Sequence, residues 1–141
     1  MSRALLALRG YGRCALQPDT GLPERLRRFG FTTLDQDPGR ELVFGIAGRF
    51  WRPDGGLRRI ADRQAFLDFA EHGCVKAAWN LRIDPIDDGA CELSTETRIE
   101  YFGPAARRKF RLYWTLVGPF SGVLRRSLLR GVKVRADAPP V

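Results

Sequence analysis

A long amphipathic pattern at residues 103–135 constrains the fold more than any other feature of the sequence. Its apolar residues recur at steps of three, four and seven, which places them on one side of an α-helix. Pro104 suits the start of this helix, because proline at the first helical position loses only an N–H that has no partner. Pro119 predicts a kink or a short break. The apolar positions are Phe110, Trp114, Val117, Leu124, Leu128 and Val132, with Tyr113 and Phe120 beside them.

Residues 29–101 are expected to cover that helix, because their hydrophobic period is two, as in β-strands. A first hairpin is predicted from Phe29 onward, with a turn at 37–40 and Thr33 opposite Phe44. A second hairpin follows, with Ile86 opposite Ala90 and Trp79 opposite Thr97. One face of this second hairpin is apolar and the other carries mixed charge, which is typical of an antiparallel sheet with one wet face.

Shorter helices complete the prediction. Residues 2–12 and 23–28 are expected to form two of them, and Asp62 is a good N-cap for a third over 63–71. The predicted fold class is α+β, with an antiparallel sheet of four or five strands packed on a long kinked C-terminal helix. A single domain is expected over 1–136, followed by a flexible tail over 137–141.

The overall composition restricts the classes of protein to which this chain can belong. The chain has 141 residues, 44% of them hydrophobic, which suffices for one domain with a real core. No apolar run is long enough to cross a bilayer, and the apolar run at residues 5–8 is too short for a secretory signal. The cysteines Cys14, Cys74 and Cys91 form no CxxC pair, so reduced thiols are expected. These observations predict a cytoplasmic protein.

The net charge of +8 raises the question of an anionic partner. The arginines are spread along the chain and are not interleaved with aromatic residues in one run, so no nucleic-acid partner is expected. On the C-terminal helix, however, arginines lie largely away from the apolar side and could meet anionic lipid headgroups. The residues of this predicted basic surface are Arg107, Arg108, Arg125, Arg126 and Arg130.

Three runs carry a family resemblance: ELVFGIAGRFWRPDGG, KAAWNLRIDPIDDGACELSTETRI and RRKFRLYWTLVGPFSGVLRRSLLRGVK. Together they resemble an uncharacterised branch of the START-like, or SRPBCC, superfamily, which includes the birch-pollen-allergen-like proteins and the polyketide cyclases/dehydratases. The resemblance covers residues 5–136. It implies a helix-grip fold, in which a curved antiparallel sheet wraps around the C-terminal helix and leaves an apolar cavity between them. Members bind lipids, sterols or polyketides, and a minority catalyse reactions on them.

One departure from the superfamily affects the sheet. Such domains usually begin with a strand, whereas this chain is predicted to open almost at its helices. The first strand is therefore expected to be absent, which leaves a sheet edge unpaired. Either the pocket is then open to solvent at this edge, or a second copy of the chain covers the edge in a homodimer.

The expected function is the binding or carrying of a small apolar molecule, lipid or polyketide-like. The inward faces carry hydroxyls and no carboxylate, which favours a binder over an enzyme. Two alternatives stay open: a cyclase or dehydratase that uses pocket hydroxyls, and an interaction module for anionic membranes. The candidate pocket residues are Phe44, Trp79, Leu81, Thr95, Thr97, Tyr101, Tyr113, Trp114, Val117 and Phe120.

Catalytic residues, cofactors and metals are not expected. The best metal-ligating group is Glu71, His72 and Cys74, whose number and spacing do not suit a closed zinc site. The sequence carries no glycine-rich phosphate-binding motif and no nucleophile-elbow motif.

Overall fold

The computed structural model describes residues 2–9, 22–54, 56–87 and 90–136, and for 2–9, 22, 87, 90, 124–125 and 127–136 it describes the backbone alone. The predicted tail at 137–141 and the centre of the second predicted turn lie outside these residues. The elements in chain order are β1 (Ser2–Arg9), α1 (Leu22–Arg28), β2 (Thr32–Asp37), β3 (Glu41–Gly48), β4 (Leu57–Arg58), α2 (Arg63–Asp68), β5 (Val75–Asp87), β6 (Ala90–Tyr101) and α3 (Pro104–Ala136).

The strands form one antiparallel sheet. Its order is β1-β6-β5-β3-β2, and β4 pairs with β3 beside this path. With three helices added to the sheet, the predicted α+β class is confirmed.

The N-terminal segment is a strand, so the helix predicted over 2–12 is wrong. β1 pairs with β6 along its whole length, from Ser2 opposite Thr97 to Arg9 opposite Ala90. The apolar run at residues 5–8 is compatible with a helix or a strand, and pairing with a distant segment decides between them. The first strand is therefore present and fills the edge that was expected to be unpaired. The homodimer stays a prediction, without an unpaired edge of β6 to support it.

The register of the second hairpin is confirmed over most of its length. Trp79 lies opposite Thr97 and Ile83 opposite Leu93. At the turn the prediction is wrong, because Ala90 lies opposite Asp87 instead of Ile86. A bulge after Pro85 adds one unpaired residue to β5 and shifts the register there.

The first hairpin also keeps its predicted register at Thr33 and Phe44, and the Arg40 N–H donates to the Asp37 carbonyl at 3.0 Å in the turn. Its first strand begins at Thr32, not at Phe29. The Phe29 N–H donates to the Leu26 carbonyl in the turn after α1, and the Phe29 side chain is 72% exposed.

The main core lies on one face of β3, β5 and β6. Phe44 stacks on Trp79 with ring centroids 5.4 Å apart, above buried residues such as Leu81 and Leu93. The opposite face is covered by α2, whose N-cap is Asp62 as predicted. The Asp62 carboxylate accepts a hydrogen bond from the Ala65 N–H at 2.8 Å. This helix ends at Asp68, three residues before the predicted end.

The long helix α3 begins at Pro104, as predicted, and continues through Pro119 without a break. Among its described side chains, Ala106 and Phe110 are buried, Tyr113, Trp114 and Val117 are half-buried, and most of the others are exposed. Within the described residues, no helix is both long enough and apolar enough to span a membrane.

The cysteines differ from one another. Cys74 is buried and free, as expected, but Cys91 is disulfide-bonded, so the expectation of reduced thiols is wrong for Cys91. The partner of Cys91 lies outside the described residues.

Candidate functional site

A half-open cavity of about 560 Å³ lies between the sheet and the beginning of α3. Strands β3, β5 and β6 form its floor, α3 forms one wall, and α1 with the loop between β3 and β4 forms the other. Its volume falls within the range of about 300–1,000 Å³ that is usual for small-molecule sites. The lining residues are Leu26, Phe31, Ile46, Arg49, Phe50, Arg52, Pro53, Gly56, Leu57, Ala77, Trp79, Thr97, Ile99, Phe110, Tyr113, Trp114 and Ser121.

Four of the ten candidate pocket residues line this cavity. Trp79 and Thr97 come from the sheet, and Tyr113 and Trp114 come from α3. The sequence brings these four together because Trp79 and Thr97 are opposite each other in the hairpin, while the two aromatic residues lie one turn beyond buried Phe110.

Three candidates belong to the solid core and not to the cavity wall. Phe44 and Leu81 are buried within the cluster around Trp79. The Thr95 hydroxyl accepts a hydrogen bond from the Trp79 indole N–H at 2.5 Å and donates one to the Asn80 carbonyl at 2.7 Å. This hydroxyl is satisfied within the protein.

The remaining three candidates lie near α3 but do not line the cavity. Tyr101 packs edge-on against Phe110 with ring centroids 5.6 Å apart, and Val117 is half-buried. Phe120 is 71% exposed, so its predicted place in the pocket is wrong. Six residues separate Phe120 from Trp114, which turns the two side chains to different sides of a helix with 3.6 residues per turn.

The loop between β3 and β4 is the part of the cavity that sequence reasoning missed. The Arg49 N–H donates to the Gly56 carbonyl at 2.7 Å, so the loop closes on itself. A Cβ at Gly48 would lie 2.4 Å from that same carbonyl oxygen, and Gly48 has a φ of 143°, so the closure requires glycine there. The sequence signal for this loop was the presence of glycines on both sides of an aromatic run, as in GRFWRPDGG.

Arg49 has a buried nitrogen without a partner. Its Nε is shielded from solvent and makes no hydrogen bond. None of the ion pairs between described residues includes Arg49. Leaving a buried donor unsatisfied costs about 1–3 kcal/mol, so such a group in a native structure calls for an explanation.

The Glu71 carboxylate, on which the charge of Arg49 acts, already accepts hydrogen bonds from another arginine. Glu71 accepts two hydrogen bonds from the Arg58 guanidinium, at 2.7 and 2.8 Å. These bonds hold the pKa of the Glu71 carboxyl below its usual value, and the charge of Arg49 lowers it by a smaller amount. The Arg49 guanidinium lies instead against Gly73, where an added Cβ would be 3.2 Å from Nη2.

A second depression of about 510 Å³, here called the basic cleft, borders the cavity. Arg49 and Arg52 line both. None of the described residues that line the cleft is acidic, although Arg52 forms a solvent-exposed ion pair with Asp54. The other lining residues are Trp51, His72, Gly73, Ala105, Ala106 and Lys109.

The outward side of α3 combines positive charge with apolar surface. Of the predicted basic surface, Arg107, Arg108 and Arg126 are exposed, and the side chains of Arg125 and Arg130 lie outside the described residues. An exposed apolar row runs along the same helix at spacings of four, four and three residues. This outer stripe consists of Leu112, Leu116, Phe120 and Val123.

Metal-ligating side chains do not gather into a group of three anywhere in the described part of the chain. In comparisons with known proteins, no family model, no curated protein and no solved structure matches the chain. The START-like resemblance therefore stays a prediction. The fold and the cavity define an α+β protein with an apolar cavity between its sheet and its C-terminal helix.

Proposed function

We propose that the protein binds a small apolar molecule in the cavity between the sheet and α3. The observation that carries this proposal is the cavity of about 560 Å³, which is lined mostly by aliphatic and aromatic side chains and is half-open to solvent. Burial of apolar surface drives such binding. An empty space of this size beside a well-packed core forfeits the contacts that a ligand would supply.

The place of the cavity adds support. The START-like resemblance predicts an apolar cavity between an antiparallel sheet and the C-terminal helix, and the cavity lies between those elements. We therefore propose a helix-grip protein of the START-like type. The cyclase or dehydratase alternative has less support, because Tyr113 and Ser121 offer hydroxyls but none of the described residues that line the cavity is a carboxylate or a histidine.

Filling the cavity tests the proposal. Ala77 lies on the cavity floor, so Ala77→Trp is expected to lower affinity for the neutral probe N-phenyl-1-naphthylamine at least about ten-fold, the factor that 1.4 kcal/mol represents. The matched control is Ala70→Trp, at an exposed position away from the cavity. Ser121→Trp fills the same space from α3 and replaces the first variant if that one unfolds. Equal affinity in all these folded variants would reject the proposal.

A second candidate function is docking on an anionic membrane. The outer stripe favours it, since Arg108, Arg111 and Arg126 are exposed on the same helix. A helix that presents an apolar row with flanking arginines suits the surface of an anionic bilayer, where apolar residues enter the acyl boundary and cations meet headgroups. A carrier could load its ligand from such a surface.

Vesicle flotation tests this candidate. The protein should float with vesicles that contain anionic phosphatidylserine. When the vesicles contain only neutral phosphatidylcholine, it should remain in the bottom fraction of the gradient. Leu116→Ser and Phe120→Ser should weaken flotation, whereas Leu67→Ser, at another exposed leucine, should not. Flotation that is equal on both vesicle types, or unchanged by the stripe variants, would exclude docking through α3.

A further inference from the structure

We propose that the ligand carries a carboxylate at one end, which the Arg49 guanidinium holds at the border between the cavity and the basic cleft. The apolar remainder of the ligand occupies the cavity. This inference rests on the proposed function and names the chemical class of the ligand: a monoanionic amphiphile such as a medium-chain fatty acid.

The first argument is the state of Arg49. Its Nε is buried, has no hydrogen-bond acceptor, and belongs to a side chain that lines the apolar cavity. A cation next to an apolar cavity is costly unless it is paired. Glu71 lies close enough for its charge to act on Arg49, but both of its oxygens accept from Arg58 and it forms no ion pair with Arg49 among the described residues. The Arg49 side chain is half-buried and lines the cavity, so an incoming carboxylate would meet its guanidinium there and neutralise the charge.

The second argument is the surroundings of Arg49. It lies where the cavity meets the basic cleft, and Lys109 lines the cleft from α3. No ion pair between described residues includes Lys109. The cleft therefore favours a negative group, while the cavity favours an apolar one. A ligand that has both parts satisfies both surfaces at once.

The third argument is that the position of Arg49 is fixed before binding. Its N–H donates to the Gly56 carbonyl at 2.7 Å, and its carbonyl accepts from the Arg52 N–H at 3.0 Å. Gly73 leaves room for the guanidinium. The backbone that carries the guanidinium is therefore ordered before binding, and no loop has to be ordered when a ligand arrives. A planar guanidinium also matches a carboxylate in a two-point hydrogen bond better than a lysine would.

The test compares two ligands that differ only in their head group, decanoate and decanol. Binding is followed by tryptophan fluorescence at pH 8, where a carboxyl group is ionised because its ordinary pKa is about 4. Wild-type protein should bind decanoate about ten-fold or more tightly than decanol, since hydrogen bonds to charged groups are the stronger ones. Arg49→Met should remove this preference, so that the ratio of the decanol to the decanoate dissociation constant falls to about one.

The controls separate charge from folding. Arg59→Met removes the same charge at an exposed position outside the cavity and the cleft, and it should keep the preference for decanoate. A cooperative thermal unfolding transition, followed by circular dichroism, shows that the Arg49→Met variant is folded. If Arg49→Met fails to fold, Arg49→Gln takes its place. Decyl phosphate serves as a third ligand, and tighter binding of decyl phosphate than of decanoate would overturn the carboxylate assignment.

The outcomes distinguish the two proposals. If wild-type protein binds decanol and decanoate equally, or if Arg49→Met keeps the preference, the carboxylate inference fails while the apolar-ligand proposal stands. If neither ligand nor the neutral naphthylamine probe binds, the proposed function itself fails, and the inference fails with it.

Discussion

The two halves of α3 share one helical pattern but have different surroundings. Near the start, Phe110 is 2% exposed and contacts four aromatic rings, whereas ten residues later Phe120 is 71% exposed. Periodicity states which residues share a side of a helix, but burial depends on how far the partner surface extends. Among the described residues, Phe110 faces the sheet and its loops, whereas Phe120 lies with Leu112 and Leu116 on a side of the helix that they leave exposed, so α3 offers a cavity wall on one side and the outer stripe on another.

The largest expected effect is a difference in the free energy of unfolding between variants of these two phenylalanines. Phe110→Ala should lower the free energy of unfolding by about 3–5 kcal/mol, because it removes a buried ring and leaves a cavity. Phe120→Ala should change it by no more than about 0.5 kcal/mol, as expected for an exposed site. Urea denaturation measures both. Losses of similar size would mean that Phe120 is packed and that the contrast is wrong.

Two glycines test the same difference between a packed position and an exposed one. A Cβ at Gly45 in β3 would lie 2.7 Å from both Leu34 and Phe66, so Gly45→Ala should destabilise the fold by about 1–3 kcal/mol through overpacking. A Cβ at Gly122 in α3 would meet nothing within 4 Å. Gly122→Ala should therefore stabilise by about 0.5–1 kcal/mol, the helix preference of alanine over glycine.

Thermal unfolding compares the two glycine variants directly. The expected result is a lower melting temperature for Gly45→Ala and a higher one for Gly122→Ala. A decrease for both would show that the exposed half of α3 is packed against something that the described contacts do not include.

The smallest expected effect concerns an ion pair at the surface. Because Arg58 lowers the pKa of the folded Glu71 carboxyl, this pair stabilises the protein above the ordinary glutamate pKa of about 4.3, and the contribution fades as the pH falls through the lowered folded value. Glu71→Gln should therefore flatten the acid side of the stability profile. Denaturation at several pH values from neutral to acid measures it, and an unchanged acid slope would contradict the assignment.

Local and pairwise patterns made much of the fold predictable from the sequence. The alternation of Trp79, Leu81 and Ile83 fixed the register of the second hairpin, since a shift of one residue would turn every apolar side chain to the wet face. Pro104 and Asp62 marked two helix starts correctly. These signals lie within a few residues of the features that they specify.

The parts that could not be predicted depend on distant segments. β1 is a strand because it pairs with β6, about ninety residues away in the chain, and nothing near residues 5–8 signals this. The cavity lining needed the path of the loop at 49–57, which is set by two backbone hydrogen bonds and two glycines. The prediction for Phe120 was wrong because the period of α3 alone does not show how wide a side of the helix the sheet and its loops cover.

The most direct test of the ligand cavity follows the indole N–H signals of the protein in a ¹H–¹⁵N correlation spectrum. The chain has three tryptophans, of which Trp79 and Trp114 line the cavity and Trp51 lies in the basic cleft. Titration with decanol, a neutral ligand, should shift the signals of Trp79 and Trp114 in a saturable manner and leave that of Trp51 unchanged. No shift of any signal, or a shift of Trp51 alone, would contradict a ligand cavity between the sheet and α3.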